Sequence, residues 1–118
     1  MRIYAIGDIH GSLDKLRSLL ARCEHDAAGA PMRLVFIGDY IDRGPDSRGV
    51  IEHVMALQQR LGDSVVALMG NHEAMVLAII DEKIPAGTWL TEGGIATLRS
   101  YGVVSARALP PAHVKWLR

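Results

Sequence analysis

Cysteine is nearly absent from this chain: Cys23 stands alone, which excludes an intrachain disulfide. A surplus of one charge is absent too. Thirteen basic and thirteen acidic side chains cancel, so no overall field draws the chain to nucleic acid or an anionic membrane. No apolar run approaches the roughly 18 residues of a membrane span, and the opening "MRIYAIGDIHG" turns polar too soon for a signal peptide. Linkers and low-complexity tracts are missing, and 118 residues is the length of one domain. The expectation is one soluble, cytoplasmic domain over residues 1–118, with no nucleic-acid and no membrane partner. The G-x-G-x-x-G and G-x-x-x-x-G-K-[ST] spacings are also lacking, which argues against a redox or nucleotide-binding α/β domain.

What is present is periodic apolar sequence. Three short runs, "IYAI" (3–6), "LVFI" (34–37) and "VVALM" (65–69), do not alternate with polar residues. Each suits a strand buried on both faces, as in a parallel sheet covered by helices. Between them, Leu13, Leu16, Leu19, Leu20 and Cys23 share one helical face behind a Ser12 cap. Val50, Ile51, Val54, Leu57 and Leu61 do the same after Pro45-Asp46-Ser47. Further helices are expected over Glu73–Asp81 and Gly94–Tyr101, the latter stopped by Gly102. "IPAGTWLTEGG" reads as a turn-rich connection, and "LPPAHVKWLR" as the start of a short helix. Asp8 and Asp39 lie 31 positions apart, and Asp39 and Asn71 lie 32 apart. That is the length of a βαβ unit, so the order is β-α-β-α-β with right-handed crossovers and mainly parallel strands.

Each strand ends in a polar tip: "GDIHG" (7–11), "GDYIDRGPDS" (38–47) and "GNHE" (70–73). Ligands of open α/β sheets bind beyond the carboxyl ends of the strands, where these tips converge. Asp8, His10, Asp39 and Asn71 offer carboxylate, imidazole and amide-carbonyl donors, a set that suits Mn²⁺, Fe or Zn²⁺. If "D-x-H" is extended, Asp8 and His10 point the same way and can hold one ion together. A single "GD" after a strand is usually only a turn. Three such tips on three parallel strands are not explained that way.

The ordered trio "GDIHG", "GDYIDRG" and "GNHE" resembles the calcineurin-like metallophosphoesterases, and its "DRG" and "GNHE" forms resemble the phosphoprotein phosphatase branch. "WLTEGGIATLRSYG" (89–102) is similar to a segment of bacterial members, which include protein phosphatases and symmetrical diadenosine tetraphosphatases. The resemblance implies half of a four-layer αββα sandwich. It implies two divalent metal ions, with Mn²⁺ expected first: Asp8 and His10 on one, Asn71 on the other, Asp39 bridging. It implies Arg43, with Asn71 and His72, on the phosphate. His72 would protonate the leaving oxygen, Asp42 would orient His72, and a metal-bridging hydroxide would attack phosphorus. The implied substrate is a phosphoserine or phosphothreonine protein, with dinucleoside polyphosphates as the alternative.

The family's second metal takes two later histidines, and its phosphate meets a second arginine. No such motif follows residue 73, and His113 in "PPAHVKWL" resembles neither ligand. The chain is therefore expected to be an N-terminal half whose uncovered sheet favours association. A remnant that binds one metal without turnover is the contrasting expectation. His25 and His53 are expected on solvated surface. Glu73 is expected to support the site through the helix dipole rather than by ligation. Trp89 and Trp116 are assigned to packing or to a substrate wall.

Overall fold

The computed structural model describes residues 1–118. Its strands are β1 (Arg2–Ile6), β2 (Met32–Phe36) and β3 (Val65–Ala67), paired in parallel in the order β1-β2-β3. Helix α1 (Leu13–Ala27) connects the first two strands and α2 (Ser47–Leu61) the second two. Then follow α3 (Asn71–Ile80), one helical turn α4 (Gly87–Trp89), α5 (Ile95–Tyr101) and α6 (Pro111–Leu117). The α/β class and parallel strands follow the sequence expectation. The region read as a turn-rich connection is irregular over residues 84–86 but helical from Gly87, α4 running through a wide turn, Leu90–Gly94, into α5. Its break is Gly93, at φ 110°.

Two parallel crossovers of the same hand, each stepping to the next strand in the same direction, deposit both helices on one face of the sheet. Leu34, Phe36, Ile6 and Val65 point into that face and form the core with Leu16 and Leu20 of α1 and Val50 and Val54 of α2. Burying each such side chain contributes about 1.5–3 kcal/mol. The alternate residues point the other way. Ile3 is 64% exposed, Ile37 53% and Leu68 49%. Strands buried on both faces are thus not what this chain forms: one face is covered and an apolar face lies open, the uncovered sheet expected of a half-sandwich. Leu19 and Leu61 are likewise exposed, at the margins of their helical stripes.

Smaller departures have local causes. Ser12 precedes α1, but its side chain makes no cap bond. Asp46 does cap α2, its Oδ1 accepting from the Gly49 N–H at 2.8 Å. Helix α3 starts two residues earlier than the apolar pattern suggests. Asn71 and His72 therefore sit in its first turn, and Glu73 is its third residue. No helix is long and apolar enough to cross a membrane.

Candidate metal and phosphate site

The three strand tips are stitched together by backbone. The His10 N–H donates to the Asp39 carbonyl at 2.9 Å and the Gly11 N–H to the Tyr40 carbonyl at 2.8 Å. The second and third tips touch backbone to backbone at Gly38 and Gly70, where a Cβ on either would overlap its neighbour. Glu73 completes the join. Its fully buried carboxylate accepts from the N–H groups of Asp39 (2.6 Å), Tyr40 (2.9 Å), Ile41 (3.4 Å) and Gly70 (2.9 Å). Burial pushes this carboxyl above its usual range, the backbone N–H bonds pull it down, and the charge of Asp39 adds to the rise. Glu73 is thus the clasp of the two loops, a larger role than the helix-dipole support expected of it.

These loops are bent hard. Asp8, His10, Asp39, Asp42 and Arg43 all have positive φ, between 44° and 76°. Such backbone is costly outside glycine, and its concentration at one place marks a site. It also corrects the premise about "D-x-H": Asp8 and His10 are left-handed, not extended. Their donors converge nonetheless. One ligand atom each from Asp8, His10 and Asp39 lie within 4.8 Å of one another. The His10 Nδ1 faces the Ile41 carbonyl at 2.8 Å, and a carbonyl only accepts, so Nδ1 carries the proton and Nε2 is free to ligate. Two carboxylates and a free imidazole nitrogen at this spacing fit a divalent cation.

Beside this cluster lies a second one, built differently. Asp42 is completely buried. Its Oδ2 accepts from His72 Nδ1 at 2.7 Å and from Trp89 Nε1 at 2.8 Å, and its Oδ1 accepts from Thr97 Oγ1 at 2.6 Å. Its own N–H donates to Thr97 Oγ1 (2.9 Å) and Ser47 Oγ (3.1 Å). His72 therefore holds its proton on Nδ1, leaving Nε2 for the site. The His10 and His72 rings meet edge-on, with centroids 4.7 Å apart.

Arg43 and Asn71 lie on the rim and are exposed. The Arg43 backbone N–H is held by the Gly93 carbonyl at 3.0 Å, and its guanidinium faces Glu92 at 3.8 Å. His25 is exposed at the end of α1, as expected. His53 is half-buried rather than solvated, and burial, with Arg17 and Arg60 nearby, lowers its pKa. His113 meets the Tyr101 hydroxyl at 2.6 Å, away from the site. Sequence reasoning missed Thr97 and Ser47 and left Trp89 undecided. Trp89 and Asp42 lie 47 positions apart, and no local pattern connects them.

A symmetrical bis(5'-nucleosyl)-tetraphosphatase of Klebsiella pneumoniae (strain 342) is 42% identical over 79 residues, which are 67% of this chain and 26% of that protein. Its counterpart in Pseudomonas fluorescens (strain SBW25) is 36% identical over 94 residues, covering 78% of this chain and 31% of that one. The solved structure of a mutant cold-active protein tyrosine phosphatase superposes with a TM-score of 0.69 at 26% identity, covering 98% of this chain and 36% of that one. The chain thus spans about a quarter to a third of the curated relatives it matches. Residues 1–113 match the model of the calcineurin-like phosphoesterases, and the chain belongs to that family.

Proposed function

We propose that this chain carries the metal-holding and proton-donating part of a phosphoesterase that cleaves dinucleoside tetraphosphates symmetrically, into two nucleoside diphosphates. The observation that carries this is the adjacency of two clusters: the Asp8, His10 and Asp39 donors and the Asp42–His72 pair at 2.7 Å. The names of the curated relatives favour the nucleotide substrate. A phosphoserine or phosphothreonine protein, the substrate first expected from "DRG" and "GNHE", is the second reading. The solved relative named as a protein tyrosine phosphatase keeps a phosphoprotein in view.

Asp8 and His10 would hold one divalent ion, Asn71 a second, and Asp39 both; Mn²⁺ is the first metal to test. Such ions supply charge neutralisation on the phosphoryl oxygens and lower the pKa of water. The chain's own residues do the rest. Arg43 presents a planar fork suited to phosphate oxygens. Asp42 holds the Nδ1–H of His72, so that with both ring nitrogens protonated the imidazolium would give its Nε2 proton to the leaving oxygen and return to the neutral ring, still protonated on Nδ1. Two divalent ions exceed the charge of two carboxylates, and Arg43 adds to the surplus, which suits a polyanionic substrate.

The test uses the full chain with Mn²⁺ and two substrates, diadenosine tetraphosphate and a phosphoserine peptide. We expect ADP from the first, and a loss of at least about 10³-fold in turnover with Asp39→Asn. Faster turnover of the peptide would transfer the assignment to the second reading. A folded, metal-loaded chain that hydrolyses neither, while binding about one metal, would leave the non-catalytic remnant.

A further inference from the structure

The segment "WLTEGGIAT" (89–97) has no role in the chemistry just described, yet it wraps the loop that carries Asp42 and Arg43. Three contacts define it. The Trp89 indole N–H donates to Asp42 Oδ2 at 2.8 Å, the Gly93 carbonyl accepts from the Arg43 N–H at 3.0 Å, and Thr97 Oγ1 donates to Asp42 Oδ1 at 2.6 Å. The last contact is reciprocal, since the Asp42 N–H donates back to Thr97 Oγ1 at 2.9 Å. Trp89 and Thr97 are each 1% exposed.

Hydrogen-bond accounting leaves little freedom. An indole nitrogen only donates, so Asp42 Oδ2 must accept from it. Thr97 spends its proton on Asp42 Oδ1, so Ser47, 3.1 Å from Thr97 Oγ1, donates to it. No polar side-chain atom in this buried network lacks a partner. The kink at Gly93 makes the wrap possible. At φ 110° its backbone leaves the helix and presses against Arg43, where a Cβ would strike the Arg43 backbone nitrogen and Cγ. A regular helix from Gly87 to Tyr101 could not put Trp89 and Thr97 on the same carboxylate while offering the Gly93 carbonyl to Arg43.

We infer that Trp89 and Thr97 are positioning residues: with Gly93 they form a brace that locks both carboxylate oxygens of Asp42 and thereby aims His72. The inference rests on His72 being the proton donor of the proposed phosphoesterase. A group that aims a proton donor affects turnover and not substrate binding, and it matters most when the leaving group is a strong base.

Two measurements on the full chain decide it. In nitrogen-edited NMR spectra the two indole signals, from Trp89 and Trp116, are assigned with Trp116→Phe. We expect the Trp89 indole proton to exchange slowly with D₂O. We expect Thr97→Val, nearly isosteric but without the hydroxyl, to move the Trp89 indole and His72 Nδ1–H signals while Trp116 stays in place. Thr97→Ser returns them. In kinetics with Mn²⁺, Thr97→Val and Trp89→Phe should lower kcat on phenyl phosphate by about 10–100-fold, and on 4-nitrophenyl phosphate much less, with KM unchanged and recovery in Thr97→Ser. A freely exchanging Trp89 indole, or a His72 signal indifferent to Thr97→Val, overturns the brace. So does an equal loss on both esters. If the parent chain turns over neither ester, the phosphoesterase assignment fails separately, and the spectra still decide the brace.

Discussion

The site has two sides, and they are made by opposite means. On the side of His72, Asp42 is completely buried and each of its oxygens is bonded. On the candidate metal side, Asp8 is exposed and His10 and Asp39 are half-buried, with one ligand atom of each close to the others. Low dielectric and full hydrogen bonding make a rigid unit of the first. The second is a set of like charges that gains from a cation. The chain thus holds the Asp42–His72 pair rigidly and leaves the Asp8, His10 and Asp39 donors open.

The largest effect is expected at Glu73, the clasp between the sides. Glu73→Ala leaves two buried and two part-buried N–H groups without their acceptor and should remove about 3 kcal/mol of stability in urea unfolding. Asp8→Asn, on the open side, should change stability by less than about 0.5 kcal/mol while weakening Mn²⁺ binding in a calorimetric titration. Equal destabilisation by both changes would erase the distinction.

Next in size is a test of what the buried side is for. His72→Asn should lower turnover of phenyl phosphate about 100-fold but that of diadenosine tetraphosphate less than about tenfold. The reason is the leaving group: phenoxide needs the proton, and a nucleoside diphosphate is already a weak base. Losses of equal size on the two substrates would remove His72 as proton donor.

Much of this was legible in the sequence, for reasons that differ by level. The strands and the first two helices follow from apolar runs and periodicity, and the tips from their place after the strands. Which face of the sheet would be covered was not legible, because Ile3 and Ile37 look the same under a helix or in the open. Only the direction of the two crossovers decides it. The convergence of Asp8 with His10 was foreseen from a wrong premise, since the left-handed backbone was hidden in residue types that tolerate it. The Trp89–Asp42 bond depends on a kink at Gly93 that periodicity does not encode.

Two smaller effects complete the set. Burial lowers the pKa of His53, with help from Arg17 and Arg60, and of His113, where Glu52 opposes and Arg48 assists. A folded-state pKa below the unfolded one means the unfolded chain binds more protons in the window between them. Stability from these histidines is therefore present above about pH 6.5 and lost as pH falls toward their folded values. Urea midpoints should drop over that window, and His113→Gln should flatten the drop. On the open face, Ile3→Lys should reduce self-association in sedimentation while changing stability by less than about 0.5 kcal/mol. Unchanged association would show that the uncovered face is not where copies meet.

The positive φ angles at Asp8, His10, Asp39 and Asp42 have a consequence for which sequences can occupy this site. Asp, Asn and His are the non-glycine residues that enter the left-handed region most readily, and they are also residues with short side chains bearing ligating atoms. Backbone and chemistry therefore screen for the same small alphabet. Glutamate offers the same carboxylate as aspartate, but on a longer arm and with less tolerance for that backbone. At Asp8 and Asp39 it would meet the cost of the turn and would carry its carboxylate past the point where the three donors converge; at Asp42 the longer arm would not fit the buried bonds to His72, Trp89 and Thr97.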